Sequence, residues 1–336
     1  MSRNLIVHSI GPSVTVQDLG RAGYMAFGLS RGGAADRLAL AEGAALLGQA
    51  AGSAALEMAG MGGTFEATED LRIALTGAPM AASIDGAALT WNASHLLAAG
   101  ERLTVGAAQT GVYGYLHVGG GLETPTHLGA RCAHLVAGIG EPIQPGAKLP
   151  VGSDSGMRTG QKIDAEPRFA GGTARIVPSL QTAFFTADDI ARFGSTLFRR
   201  DTRGNRMGVR LLPDGEGFQS TAGLSVLSEV IVPGDIQVTG DGTPYVLLAE
   251  SQTTGGYPRI GSVIPADLPL LAQARPGTEI RFAFITLDEA VAIERREFER
   301  RQKLRQTLSP LIRDPHDIPD LLSYQLISGV TAGDDL

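Results

Sequence analysis

Tyr245-Val246-Leu247-Leu248-Ala249-Glu250-Ser251-Gln252-Thr253-Thr254-Gly255-Gly256-Tyr257-Pro258 changes character partway along. Its first five residues form an apolar run with the length and composition of a buried strand. A carboxylate, four polar side chains and a Gly-Gly-Tyr-Pro turn follow. Packing alone asks for no such ending. The two glycines let backbone N–H groups approach a ligand closely. Side chains two apart on an extended chain share a face, so Glu250 and Gln252 are expected to point the same way. The plain structural alternative is a polar strand end closed by a tight turn.

Short apolar runs separated by turns recur throughout. The chain has 336 residues, 45 of them glycine, and 43% are apolar. That pattern points to many strands, and the length suits two domains that need no staples. Leu71–Thr76, Arg102–Val105 and Tyr113–Val118 read as strands. Residues 35–47 read as a helix, with Asp36 at its start and Gly48 closing it. Thr186–Phe193 begins with a Thr cap and an acidic first turn. Three segments starting at Gly100, Gly146 and Gly277 share the order glycine, any residue, charged, aliphatic. The polar, Gly/Ser-rich connection over 152–174 places a domain boundary, giving units 1–155 and 156–286. Residues 287–336 form a helical C-terminal extension. In it, Leu287, Val291 and Phe298 make a narrow apolar stripe, Pro310 ends the helix, and Ile318–Ile327 docks as an apolar tail.

The formal charge of −7 argues against nucleic acid or an anionic membrane as partner. The lone cysteine, Cys132, rules out an internal disulfide and fits a reducing compartment. No secretory signal and no run of the roughly 18 apolar residues of a membrane span are present. A cytoplasmic protein is expected.

The common catalytic signatures are missing. There is no phosphate loop of the Gly-x-x-x-x-Gly-Lys-Ser/Thr type and no Gly-x-Ser-x-Gly elbow. Gly119-Gly120-Gly121 after a strand reads as a sharp turn before it reads as a nucleotide cradle. His127 and His134 lack companions at metal-ligand spacing, so no metal site is assigned. Three clusters combine Arg, Gln or a carboxylate with glycines. The first holds Gln17, Asp18, Arg21 and Asp36, the second Asn205 and Arg206, and the third Glu250 to Tyr257. Arginine suits planar oxyanions because its fork donates two parallel hydrogen bonds. A buried ion pair between Asp18 and Arg21 is the structural alternative for the first cluster.

In order along the chain, these clusters resemble the carboxyltransferase A–B family. It includes the C component of 5-oxoprolinase (KipA-like proteins), allophanate hydrolase subunit 2 and one module of urea amidolyase. The likeness begins at Gly11-Pro12-Ser13-Val14-Thr15-Val16-Gln17-Asp18-Leu19-Gly20-Arg21 and continues through Gly33-Ala34-Ala35-Asp36 and Leu75-Thr76-Gly77-Ala78. Asn205-Arg206-Met207-Gly208, Gly234-Asp235-Ile236-Gln237-Val238 and Gln252-Thr253-Thr254-Gly255-Gly256-Tyr257-Pro258 follow, then Asp267-Leu268 and Leu271-Ala272-Gln273. The family usually carries Asp where this chain has Glu250 and Asn205.

The resemblance implies a mainly β fold of two cyclophilin-like β-barrels, with few helices, sharing a cleft. It implies one component of an ATP-dependent 5-oxoprolinase, working with a KipI-like B component and an A component. ATP is then bound by, or shared with, a partner. The carboxyltransferase alternative receives carboxybiotin on a separate carrier, since none of the three lysines lies between methionines. A further alternative is a regulator that binds a KipI-like protein without catalysis. On these readings Glu250, Gln252 and Arg206 are the candidate catalytic residues. Gln17, Asp18, Arg21, Asp36, Asn205, Gln237, Thr253, Gly255, Gly256 and Tyr257 are the candidate substrate-binding residues.

Overall fold

A computed structural model describes residues 3–312 apart from 155, 157, 224 and 225. The segment Ile318–Ile327, expected to dock as a tail, lies outside the described residues, as does the rest of the extension beyond 312.

Strands dominate, and the first half arranges them in two sheets. One has six strands in the order Lys148–Pro150, Asn4–Ile10, Gly63–Ala67, Arg102–Ala108, Met80–Ile84 and Ala87–Ala88. The other has seven, in the order Thr15–Gln17, Ala55–Ala59, Tyr113–Val118, Leu71–Gly77, Ala93–Leu97, Gln161–Lys162 and Ser309–Pro310. Leu5, Phe65 and Leu103 of the first sheet and Leu56, Ile73 and Leu116 of the second share one core, and all are fully buried. Helix α1 (Arg37–Leu47) covers the outer face of the second sheet, so Tyr113–Val118 is buried on both faces. All six residues are buried, His117 included, so the strand shows no alternation of inward and outward faces.

The second half closes into a seven-stranded barrel. Its order is Gly172–Val177, Arg259–Val263, Asp235–Val238, Pro244–Leu247, Gly208–Pro213, Phe198–Asn205 and Glu279–Phe284. Parallel pairing of Ala174 with Phe282 joins the last strand to the first. Helix α2 (Ala187–Ser195) starts where expected, with Thr186 Oγ1 accepting the Asp189 N–H at 3.0 Å. It sends Phe193 into the core, with ring centroids 4.9 Å from Phe198 and 5.1 Å from both Phe218 and Phe282.

The recurring glycine pattern has a physical basis. Gly100, Gly146 and Gly277 all have φ between 82° and 85°, each leading into a strand. The charged Arg102, Lys148 and Glu279 face out, and Leu103, Leu149 and Ile280 face in. It is a turn device.

Helix α3 (Leu268–Gln273) follows a short turn, and α4 (Leu287–Gln302) opens with a full capping box between Thr286 and Glu289. Pro310 does not end α4, contrary to expectation. The helix stops at Gln302, Leu304 turns inward beside α1, and Ser309–Pro310 pairs with Gln161–Lys162.

Gly43 lies inside α1, where alanine is ordinarily the better residue. A Cβ there would run into the His117 ring at Nε2. The Thr76 hydroxyl donates to the Ala39 carbonyl at 2.9 Å, so at 2.8 Å it accepts from Nε2 of a neutral His117. Burial pulls the His117 pKa down to about 3. In the unfolded chain it titrates near its ordinary value of 6.5. The unfolded state therefore binds the extra proton between these pH values, and stability falls as pH drops below about 6.5. The loss from this group approaches about 1.4 kcal/mol per pH unit. Unfolding midpoints measured from pH 7 to 5 should show a slope that His117→Gln flattens. An unchanged slope would refute the assignment.

Candidate functional site

The two halves meet along polar contacts. Gly32 N–H donates to the Ala249 carbonyl at 3.1 Å, and the Arg206 guanidinium reaches the Gly33 carbonyl. Gln273, fully buried at the end of α3, accepts from the N–H groups of Val112 and Tyr113 at 2.9 Å each. Its amide nitrogen donates to the Tyr113 carbonyl and to Asp36 Oδ2, both at 2.9 Å. All its hydrogen-bonding capacity is used across the seam.

Behind the seam runs a buried charged network. Arg206 Nε donates to Glu250 Oε1 at 2.6 Å, and its Nη1 pairs with Glu57. Glu57 Oε2 accepts from the Tyr115 hydroxyl at 2.6 Å and from the Ala35 N–H at 2.8 Å. The Tyr115 oxygen accepts the Asp36 N–H at 2.8 Å. Asp36 caps α1 through the Ala39 N–H and binds Arg168 Nε at 2.7 Å, and Arg168 grips both oxygens of Glu42. Burial opposes the charge on Arg206, but the Glu57 and Glu250 carboxylates outweigh it and hold the guanidinium above its ordinary range. His134 Nδ1 lies 4.0 Å from Glu250 Oε2, and its Nε2 meets Ser30 Oγ at 2.8 Å. Burial lowers the His134 pKa against the pull of Glu250.

Glu250 and Gln252 do not share a face. Ser251 N–H donates to the Leu248 carbonyl, so the chain turns at Ala249–Glu250 and the two-residue alternation breaks. Glu250 is 2% exposed and points into the network, whereas Gln252 faces outward.

Gln252 instead borders a pocket of about 400 Å³ on the second barrel. Asn205, Gln237 and Tyr257, also among the candidates, join it there. Arg203, Met207 and Ser251, which were not among them, line it too. Two buried polar atoms of these linings have no partner among the described residues: Gln237 Nε2 and Ser251 Oγ. Buried polar groups are nearly always satisfied, so unpaired ones on residues that line a pocket mark a candidate place for ligand atoms. Asn205 Oδ1 accepts the Met207 N–H at 2.8 Å, so its side chain also braces the turn beside the pocket. No Asp or Glu lines the pocket among the described residues.

The other candidates have different neighbours. A Cβ at Gly255 would meet Gln237 Nε2 at 2.5 Å, so the glycine makes room for that amide. Gly256 packs against Val226 and Ser228. Thr253 is buried, its carbonyl accepting the Ile231 N–H. In the first half, Asp18 and Arg21 do not pair with each other. Asp18 binds the N–H groups of Gly20 and Arg131, while Arg21 binds the carbonyls of His127 and Cys132. Gln17 holds the Ala133 carbonyl at 3.2 Å. These three residues organise the 127–133 loop. Burial, with Asp18 beside it, pushes the Cys132 thiol up to about 12, which makes it a poor nucleophile.

The residues do not fit an ATP cradle at Gly119–Gly121. The three N–H groups donate to the Arg72 carbonyl, to Gln49 Oε1 and to the Val118 carbonyl, which leaves none for phosphate.

Residues 27–284 match the family described as carboxyltransferase domain, subdomain A and B. The chain belongs to this family. It is 35% identical over 286 residues to the C component of 5-oxoprolinase from Haemophilus influenzae and 36% identical to that from Escherichia coli. Each match covers 84% of this chain and 91% of the relative. Urea amidolyase of Lachancea kluyveri is 25% identical, the match covering only 17% of that much longer protein. The crystal structure of Kluyveromyces lactis urea amidolyase superposes with a TM-score of 0.80 at 21% identity, covering 93% of this chain and 21% of that one. It shares the fold. A further solved structure, 34% identical with a TM-score of 0.77, is matched over 84% of this chain and 55% of its own. Among the described residues no helix is long and apolar enough to cross a membrane.

Proposed function

We propose that this chain is the C component of an ATP-dependent 5-oxoprolinase-type amide hydrolase, and that its second-barrel pocket holds the lactam. The observation that carries the reading is the pair of unpartnered buried groups, Gln237 Nε2 and Ser251 Oγ, on two residues that line one pocket. A cyclic amide bearing a carboxylate supplies the acceptor oxygens these donors lack. Arg203 on the rim adds a cation for the carboxylate, and Met207 and Leu247 supply apolar walls for the ring. The similarity to proteins named as the C component of 5-oxoprolinase supports the same substrate class.

In this reading the chain binds and orients, and the chemistry is completed at an interface. Arg206 and Glu250 are bound to each other behind the pocket wall, where they fix the turns that carry Asn205, Met207, Ser251 and Gln252. ATP is assigned to the partners, a KipI-like B component and an A component. The purified chain alone should release no glutamate from 5-oxoproline. Co-expression with both partners should restore turnover with ADP as co-product. Full activity of the isolated chain would refute the shared site. Carboxyl transfer from carboxybiotin on a separate carrier, with no lactam hydrolysis in the complete mixture, would move the assignment to the urea amidolyase side of the family.

A further inference from the structure

Arg31, Arg37 and Arg301 converge where the loop entering α1, α1 itself and α4 meet the edge of the second barrel. All three line two adjoining hollows of about 270 and 680 Å³, and Arg305 joins them in the larger. Among the described residues no Asp or Glu lines either hollow. Arg31 and Arg37 make no ion pair among those residues either. Arg31 Nε donates to the Leu19 carbonyl at 2.9 Å, and Arg37 reaches the Gly32 carbonyl only at 3.4 Å. Arg301 gives its Nε to Glu297 at 2.8 Å, but that carboxylate is shared with Arg300. Burial, with Arg31 and Arg301 next to it, pulls the Arg37 guanidinium down to about 10. The like charges are thus close enough to repel, in a chain whose net charge is −7.

A protein that gathers guanidiniums in a concave site without acids leaves their charge for a ligand to neutralise. Three forks present more N–H donors than the two oxygens of one carboxylate accept, whereas a phosphoryl group offers three oxygens and up to two charges. We propose that this cleft binds a small phosphoryl anion held by Arg31, Arg37 and Arg301. The site shares no lining residue with the Gln237 pocket and stands independently of the function proposed for it. Arg301 lies beyond the family match at 27–284, so α4 completes a site that the family domain alone does not contain.

The test is calorimetric titration of the full chain with inorganic pyrophosphate. Saturable binding is expected with Kd below about 1 mM, weakening as salt is raised. Arg37→Met and Arg301→Met should each weaken it at least about tenfold, the loss of one charge-assisted contact. Without ligand, Arg37→Met should unfold at or above the wild-type temperature, because it relieves repulsion, so weak binding cannot be laid to misfolding. Inorganic phosphate and ATP identify the source. Equal affinity for pyrophosphate and ATP supports a site that reads phosphoryl groups alone, and tighter ATP supports one that also contacts the nucleoside. Citrate binding as tightly as pyrophosphate would overturn the phosphoryl assignment. Absence of saturable binding, or variants that bind like wild type, would overturn the site.

Discussion

Arg206→Met should lower the stability of this protein by about 3–5 kcal/mol, the range for breaking a buried ion pair by removing one partner. Arg206 is 12% exposed in its side chain and bridges Glu250 and Glu57, each 2% exposed. Its removal leaves two carboxylates in the seam without the cation that holds them. It also frees the Gly33 carbonyl and so loosens the contact between the halves. Adding Glu57→Gln and Glu250→Gln to Arg206→Met should recover much of the loss, because neutral amides carry no uncompensated charge. Urea unfolding followed by fluorescence of Trp91, the single tryptophan, reads the midpoint. If Arg206→Met unfolds with wild-type midpoint and slope, the network does not hold the seam. Residue type alone leads one to expect loss of turnover without loss of fold. The burial of Arg206 between two carboxylates predicts that both fall together.

The fold was legible wherever local pattern and tertiary environment agree. The glycine turns, the Thr186 cap and the Asp36–Gly48 helix announce themselves in a few adjacent residues. So does the strand Tyr113–Val118, although its cover on both faces depends on where α1 packs. The end of α4 was not legible, because it depends on Leu304 finding a place beside α1 and on Ser309–Pro310 meeting Gln161–Lys162, contacts more than a hundred residues apart in sequence. For the site, residue type pointed to Asn205, Gln237, Gln252 and Tyr257, which the barrel gathers around one pocket. Ser251 stands inside the most informative stretch yet carries no signal of its own, since nothing in a sequence tells which hydroxyl will be left unpaired. Glu250 is redirected by one turn: a hydrogen bond from Ser251 to Leu248 rotates the carboxylate away from Gln252 and into the seam. The network members Glu57, His134 and Arg168 come from distant segments, so only the folded chain shows why the Arg206 charge is tolerated.

Gln237→Met should lower kcat/KM for 5-oxoproline in the reconstituted complex by about tenfold to a hundredfold, or roughly 1.4–2.7 kcal/mol of lost binding to the reacting amide. Methionine keeps the length of glutamine and its apolar contacts but removes the amide nitrogen. In the free protein that nitrogen has no partner among the described residues, so its loss should leave stability unchanged or slightly raised. A separation of activity from stability is therefore the signature of a ligand-facing donor, in contrast to Arg206. Gly255→Ala gives an independent test of the same atom. Its Cβ would fall 2.5 Å from Gln237 Nε2 and displace the side chain without touching its chemistry. It should reproduce the activity loss of Gln237→Met, and in the double variant the two losses should not add, because both act on one contact. Ser251→Ala should lower activity in the same direction while leaving the fold intact. Thermal shift of the isolated chain with 5-oxoproline gives a readout that needs no partner protein. Wild-type turnover in Gln237→Met, together with an unchanged ligand-induced shift, would remove the second-barrel pocket from the reaction and leave the seam as the place to look.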